Sequence, residues 1–396
     1  MPIRHQLPVY SPITARATLA ATAQVVRLGR DPRPRLRDIL AREYDSAEVV
    51  LCASGTQALT LAIREAVRRA NREGPIALPS YSCFDLASAA IGADARVTFY
   101  DIEPDTLAPN PESLEQALRA GAAVVVVAPL YGIPVDWEAL EGLSKRYGAI
   151  LIEDAAQGYG ALWKGRRLGS LGALATLSFG RGKGWTGGNG GALLINGPDS
   201  TRAAEPDSPG FRGDALTVFG LVAQWALARP GIYGVPVAIP SLRLGETVYR
   251  PPEEEKSIGR AAAAGLIETL AKSETEAATR RANAKALLGT IAENPRLAAT
   301  RIHHDATPGY LRLPLRLPRG MTSFVSESRA LAKGIAPGYP VTLPDLPQLA
   351  KHRDGPRRKW PGATTLVNQL VTLPTHSRLR HEDLAALAEI LQTLGS

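Results

Sequence analysis

Residues 149–191 read AILIEDAAQGYGALWKGRRLGSLGALATLSFGRGKGWTGGNGG, and their pattern decides the fold. A short apolar run at 150–152 ends in two carboxylates, Glu153 and Asp154. A second, at 174–179, runs into a glycine-rich turn that holds one lysine, Lys183. Both runs have the length and bounding residues of buried strands, which predicts an α/β protein with a mostly parallel central sheet. Ligands of such sheets sit at the carboxyl ends of the strands. A carboxylate and a lysine at two such ends therefore face one ligand.

That pair suits pyridoxal phosphate, which needs a lysine to hold its aldehyde as a Schiff base and an acid to keep its ring nitrogen protonated. Lys183 and Asp154 fit the two roles. Taken singly, an Asp after a strand is an ordinary turn or cap residue and a Lys among glycines an ordinary solvated charge. Taken together, EDAAQGYGA, KGRRLGSLG and SFGRGKGWTGGNGG resemble the core of the DegT/DnrJ/EryC1/StrS aminotransferase family, the sugar aminotransferases of fold type I. The resemblance implies that Asp154 partners the pyridinium nitrogen and that Gln157 contacts the phenolic oxygen of the ring. It makes Ser178 a phosphate ligand and Lys183 the Schiff-base lysine.

The flanking chain supplies the other half of the site. A strand ending near Cys52 runs into SGTQAL, residues 54–59, at the start of a helix. Free N–H groups and the helix dipole make that junction an anion site, so Gly55 and Thr56 are expected at the cofactor phosphate beside Ser178. The segment from Ile76 to Asp101 reads as one strand, turn, helix and strand unit. In the family its turn carries an aromatic side chain that stacks on the pyridine ring. Here Cys83 stands at that position with Phe84 beside it, a departure that leaves the stacking residue open. The loop PLYGIPVDW offers Tyr131 and Asp136 either to substrate or to its own shape.

With 396 residues, 45% hydrophobic and 21% charged, the chain has the composition of a globular protein of two or three domains. The expected division is a large cofactor-binding domain at 1–250, its first 30 residues an arm, and a smaller C-terminal α/β domain at 251–396. Two cysteines, Cys52 and Cys83, build no disulfide framework, and the start MPIRHQLPVYSP lacks the apolar core of a signal peptide, so a cytoplasmic setting is expected. The net charge of +8 comes from scattered residues apart from KHRDGPRRK at 351–359. No nucleic-acid or metal signature accompanies them, so neither partner is expected.

What the resemblance implies is transamination of a keto sugar, commonly nucleotide-linked, with glutamate or a similar amino acid as donor, by a homodimer. Two rivals are a family member with another reaction, such as dehydration, and a non-catalytic regulatory relative. The dehydratases of the family carry His where Lys183 stands. The regulatory reading draws on Cys83 and on a missing Gly-x-Asn-x-Arg element, whose asparagine reaches the partner subunit's phosphate. Where that element belongs, residues 214–249 hold an apolar run, 215–228, followed by Pro230, Pro236 and Pro240. One reading makes this a helix and an extended arm in a dimer interface. The other makes 215–240 a contact for a membrane or a lipid-linked acceptor.

Overall fold

The computed structural model describes residues 5–197, 206–237, 247–295 and 297–394, the side chains of 235–237 excepted. After helices α1 (Ala15–Val25) and α2 (Arg33–Tyr44), the chain alternates strand and helix. β1 (Glu48–Cys52) leads to α3 (Gly55–Arg69), β2 (Ile76–Pro79) to α4 (Asp85–Gly92), and β3 (Val97–Tyr100) to α5 (Pro111–Arg119). β4 (Val124–Val127) leads to α6 (Trp137–Arg146), and β5 (Ile150–Asp154) to a short hairpin of β6 (Leu162–Trp163) and β7 (Arg166–Arg167). β8 (Leu174–Ser178) and β9 (Gly191–Ile195) complete a seven-stranded sheet in the order β1-β9-β8-β5-β4-β2-β3. Every pairing from β3 to β8 is parallel, and β9 alone runs against its two neighbours.

Alternation along these strands divides the core into two layers, as a parallel sheet buried on both faces requires. Val124 and Val126 join Leu59 and Ile63 of α3 and Leu86 of α4 on one face. Val125 and Val127 join Leu114 and Leu118 of α5 and Leu140 of α6 on the other. The helix boundaries follow local chemistry. Ser54, Asn110 and Asp136 each accept an N–H of the turn they precede, so Asp136 caps α6.

A second layer of structure follows α7 (Phe211–Leu227) and α8 (Pro230–Val237). The 33-residue helix α9 (Arg260–Ala292) packs on α1 and α7 at its start and on α12 (His381–Thr393) further along. β10 (Ala298–Ala299), β12 (Leu313–Arg316), β13 (Ala336–Pro337) and β14 (Leu370–Leu373) form an antiparallel sheet in the order β10-β12-β14-β13. β11 (Ala306–Thr307) instead joins the β6–β7 hairpin, and α10 (Glu327–Ala332) and α11 (Pro361–Gln369) complete the unit.

The segment after α7 departs from expectation. The proline-rich stretch is helical from Pro230 to Val237 rather than an extended arm, and residues 238–246 lie outside the described part. Pro230 opens α8 at the helical position a proline tolerates best, and the Arg229 carbonyl accepts from the N–H groups of Ile232 and Tyr233 at 2.8 and 2.9 Å. α7 turns Leu221 inward and leaves Leu216, Phe219 and Val222 exposed. Among the described residues no helix is long and apolar enough to cross a membrane.

One buried carboxylate holds the sheet to its connections. Glu153 is fully buried and accepts N–H groups of Gly169, Leu171 and Gly172 at 2.6, 2.9 and 3.2 Å. Burial pushes its pKa up to about 7 against those three donors. Glu153→Gln would turn an amide toward one of these N–H groups and leave it unpaired, at a cost of about 2 kcal/mol. The urea midpoint should fall with an unchanged slope; an unaltered midpoint would show that these bonds hold nothing.

Candidate active site

Three strand ends and one helix start converge at the carboxyl edge of the sheet. From β1 the chain passes through Ser54, whose hydroxyl accepts the Gln57 N–H at 3.2 Å, into α3. The N–H groups of Gly55 and Thr56 open that helix and so lack partners within it. A Cβ on Gly55 would lie 2.5 Å from Ser178 Cβ and 2.7 Å from its Oγ, so the helix start rests directly on the end of β8. Two free N–H groups, the positive end of a 15-residue helix and the Ser178 hydroxyl make an anion cradle.

Asp154 ends β5 beside that cradle. Its Oδ1 accepts from Thr176 Oγ1 at 3.0 Å and from the Ala156 N–H at 3.1 Å, and no described residue donates to Oδ2. Burial raises its pKa, and the nearby Lys183 opposes that shift. A cation delivered to Oδ2 would relieve the burial penalty, which is what a pyridinium N–H does. Lys183 sits in the loop after β8, its own N–H on the Gly180 carbonyl at 3.2 Å.

All six residues expected at the cofactor, Gly55, Thr56, Asp154, Gln157, Ser178 and Lys183, line one cavity. Ser82, Cys83, Asp85 and Ala156 share it. It adjoins a cleft of about 880 Å³ lined by Arg64, Arg181 and Arg250 together with Glu253, Glu254 and Glu255, and Gly55, Thr56, Asp85, Ser178 and Lys183 are common to both. Cys83 does lie in the wall; burial pushes its thiol up to about 12, and it donates to Asp85 Oδ2 at 3.3 Å. Gln157 is engaged within the protein. Its Oε1 accepts the Tyr131 N–H at 2.9 Å, and its Nε2 donates to the Tyr339 hydroxyl at 2.8 Å. Tyr131 is buried in the left-handed region at φ 55, its ring stacked on Tyr339 at 6.4 Å. The one grouping of metal-type ligands among the described residues, His303, His304 and Asp305, lines neither space.

An anion cradle, an acid with a free oxygen and a lysine on one cavity fit pyridoxal phosphate. A profile of the DegT/DnrJ/EryC1/StrS aminotransferase family matches residues 15–392. The chain belongs to that family. The L-glutamine:2-deoxy-scyllo-inosose aminotransferase of Streptomyces lividus is 29% identical over 362 residues, 86% of this chain and 80% of its own length. The enzyme of the same name from Streptomyces kanamyceticus is 33% identical over 209 residues. There the match spans 50% of this chain and about half, 48%, of that relative. The fold is that of a putative sugar aminotransferase from Streptococcus pneumoniae solved in its PMP form. The TM-score is 0.75 at 19% identity, with 98% of each chain covered. The architecture is thus fold type I, and pyridoxal phosphate is the cofactor.

Two neighbours of this cavity escaped the sequence reading. Thr176 shares the face of β8 with Ser178, two residues on, and strand alternation alone would have pointed to it. Tyr339 arrives from the second unit, and nothing local marks it. Gly55→Ala tests the cradle: the added methyl must displace either Ser178 or the helix start. Affinity of the cofactor-free protein for pyridoxal phosphate should fall at least about tenfold, some 1.4 kcal/mol, with the far-UV dichroism unchanged. Wild-type affinity would dismiss the cradle.

Proposed function

We propose that this chain transfers the amino group of L-glutamine or L-glutamate to the keto carbon of a polyhydroxylated, sugar-like acceptor. The observation that carries the reading is the shared cavity of Lys183, Asp154 and the α3 cradle. The glutamine donor and cyclitol acceptor in the relatives' names support the substrate class. The adjoining cleft presents hydrogen-bonding groups of both signs, Arg181 and Arg250 among the donors and Asp85 and Glu253 among the acceptors, which suits an acceptor rich in hydroxyl groups.

Each residue then has a task. Gly55, Thr56 and Ser178 hold the phosphate. Asp154 keeps the ring nitrogen protonated, fixed in direction by Thr176 and the Ala156 N–H. When bound, the cofactor supplies an electron sink for the carbanion formed at the donor α-carbon. Lys183 would hold the cofactor aldehyde, and its Nζ, when free, would take the proton from the donor α-carbon. Gln157, already bonded to Tyr131 and Tyr339, braces the cavity wall.

Borohydride should trap pyridoxal phosphate on Lys183 in the wild-type protein and on no lysine in Lys183→Ala. Label on Lys164 in that variant would reassign the site. Asp154→Asn should keep the cofactor yet lower turnover by roughly a hundredfold or more. A near-normal rate would remove Asp154 from its role.

A homodimer is the assembly we propose, with the second copy on the exposed row Leu216, Phe219 and Val222 of α7. Phe219→Asp should shift sedimentation toward monomer. Vesicle flotation of the wild type that Phe219→Asp abolishes, with sedimentation unchanged, would assign the row to a lipid surface instead.

A further inference from the structure

The loop from Gly180 to Gly190 carries Lys183, and a chain so rich in glycine has little conformational preference of its own. Part of what fixes it comes from the N-terminal arm. The arm crosses from the second unit to the loop, anchored by its main chain. His5 N–H donates to the Pro230 carbonyl at 3.1 Å and Gln6 N–H to the Ala332 carbonyl at 2.9 Å. His376 Nε2 lies 2.8 Å from the Leu7 carbonyl, and its Nδ1 accepts the Arg378 N–H at 3.2 Å, so Nε2 carries the proton. The Arg378 guanidinium lies over the Tyr10 ring at 4.8 Å.

So held, the arm delivers Ser11, 7% exposed, to the loop. Gly182 N–H donates to Ser11 Oγ at 2.9 Å, a buried bond. The Ser11 hydroxyl proton goes to Gln224 Oε1 of α7 at 3.2 Å, and Gln224 Nε2 makes a longer contact, 3.4 Å, with the Gly188 carbonyl. One serine and one glutamine thus connect both limbs of the loop. Packing is equally close, since a Cβ on Gly182, whose φ is +76, would lie 2.6 Å from Val9 Cγ2. Ser11 itself lines neither the cavity nor the cleft.

We propose that Ser11 is a positioning residue for the active-site lysine: its hydroxyl holds the N–H of Gly182, one residue before Lys183, and so fixes where the lysine enters the cavity. The inference rests on the reading of Lys183 given above. Without the acceptor at Ser11, the Gly182 N–H has no buried partner and the limb that carries Lys183 loses its hydrogen bond to the arm, while the Gly188 limb keeps its own contacts with α7 through Gln224 and through Asn189 and Thr217.

The test compares Ser11→Ala with Ser11→Thr, which keeps an acceptor hydroxyl, and with Ser11→Cys, which keeps the size and weakens the acceptor. In cofactor-free protein, amide exchange of the peptide covering Gly182 and Lys183 should speed up roughly tenfold in Ser11→Ala and stay near wild type in Ser11→Thr. In holoenzyme mixed with L-glutamine or L-glutamate, the limiting rate at which the visible band is lost should fall roughly 10- to 100-fold in Ser11→Ala. The donor concentration at half-maximal rate should stay within about twofold, as expected when a reacting group is misplaced but the donor still binds. If Ser11→Ala does not fold, Ser11→Cys should lie between wild type and that pattern. Exchange and rate both unchanged in Ser11→Ala, or in Ser11→Cys if it must serve, would overturn the proposal. So would a rate loss that Ser11→Thr does not restore. Borohydride trapping separates the two failures: label on another lysine in Lys183→Ala removes the functional reading, whereas label on Lys183 in the wild-type protein with an indifferent Ser11 removes only the positioning role.

Discussion

A contact in which one partner has no side chain organises this protein: the first residue of α3 against the last residue of β8. A methyl group at residue 55 would fall 2.5 Å from Ser178 Cβ, inside any van der Waals separation. Only glycine lets the helix start come that near. The approach sets two unpaired N–H groups and a hydroxyl beside the strand ends that deliver Asp154 and Lys183. The antiparallel strand β9 makes the geometry possible, because it lies between β1 and β8 and leaves those two running the same way. Both strands therefore end at one edge, and the helix after one meets the loop after the other.

The adjacent carboxylates at the end of β5 show how one strand serves two ends. Pleating sends neighbours to opposite faces. Glu153 turns into the layer beneath and spends its acceptors on three main-chain N–H groups, so its charge is committed to structure. Asp154 turns to the cavity and keeps one oxygen without a protein donor. The same burial that raises the pKa of each has different outcomes, because only the second is left open to a ligand.

Much of this was legible in residues 149–191, where apolar runs of strand length end in chemistry-bearing groups. The strand into the α3 helix start and the strand, turn, helix and strand unit from Ile76 to Asp101 followed from local periodicity, capping residues and punctuation, which act over a few positions. Asp154, Lys183, Gly55 and Thr56 are marked by strand ends and a helix start, whereas Gln157 and Ser178 come from the family resemblance; all six line one cavity. What was not legible depends on distant partners. The resemblance sets Gln157 against the phenolic oxygen of the cofactor ring, but nothing near it foretells the bonds its amide makes to Tyr131 and Tyr339. Ser11 stands 171 positions from Gly182, in an arm with no periodic pattern. The helix from Pro230 was hidden because three prolines in eleven residues suggest an extended chain, whereas one of them opens a helix.

The pairing of β1 with β9 also has a consequence in time. Glu48 lies opposite Ile195, so the first strand of the sheet waits for a partner nearly 150 positions further along the chain. At about 5–20 residues per second of synthesis, that partner leaves the ribosome roughly 7–30 s later. Until then β1 has no neighbour in the sheet, and the start of α3 has no β8 to rest on. The residues that line the shared cavity, from Gly55 to Lys183, are therefore all synthesised before the start of α3 can settle on the end of β8. The site is assembled late, with the closing of the sheet rather than with the synthesis of any one of its residues.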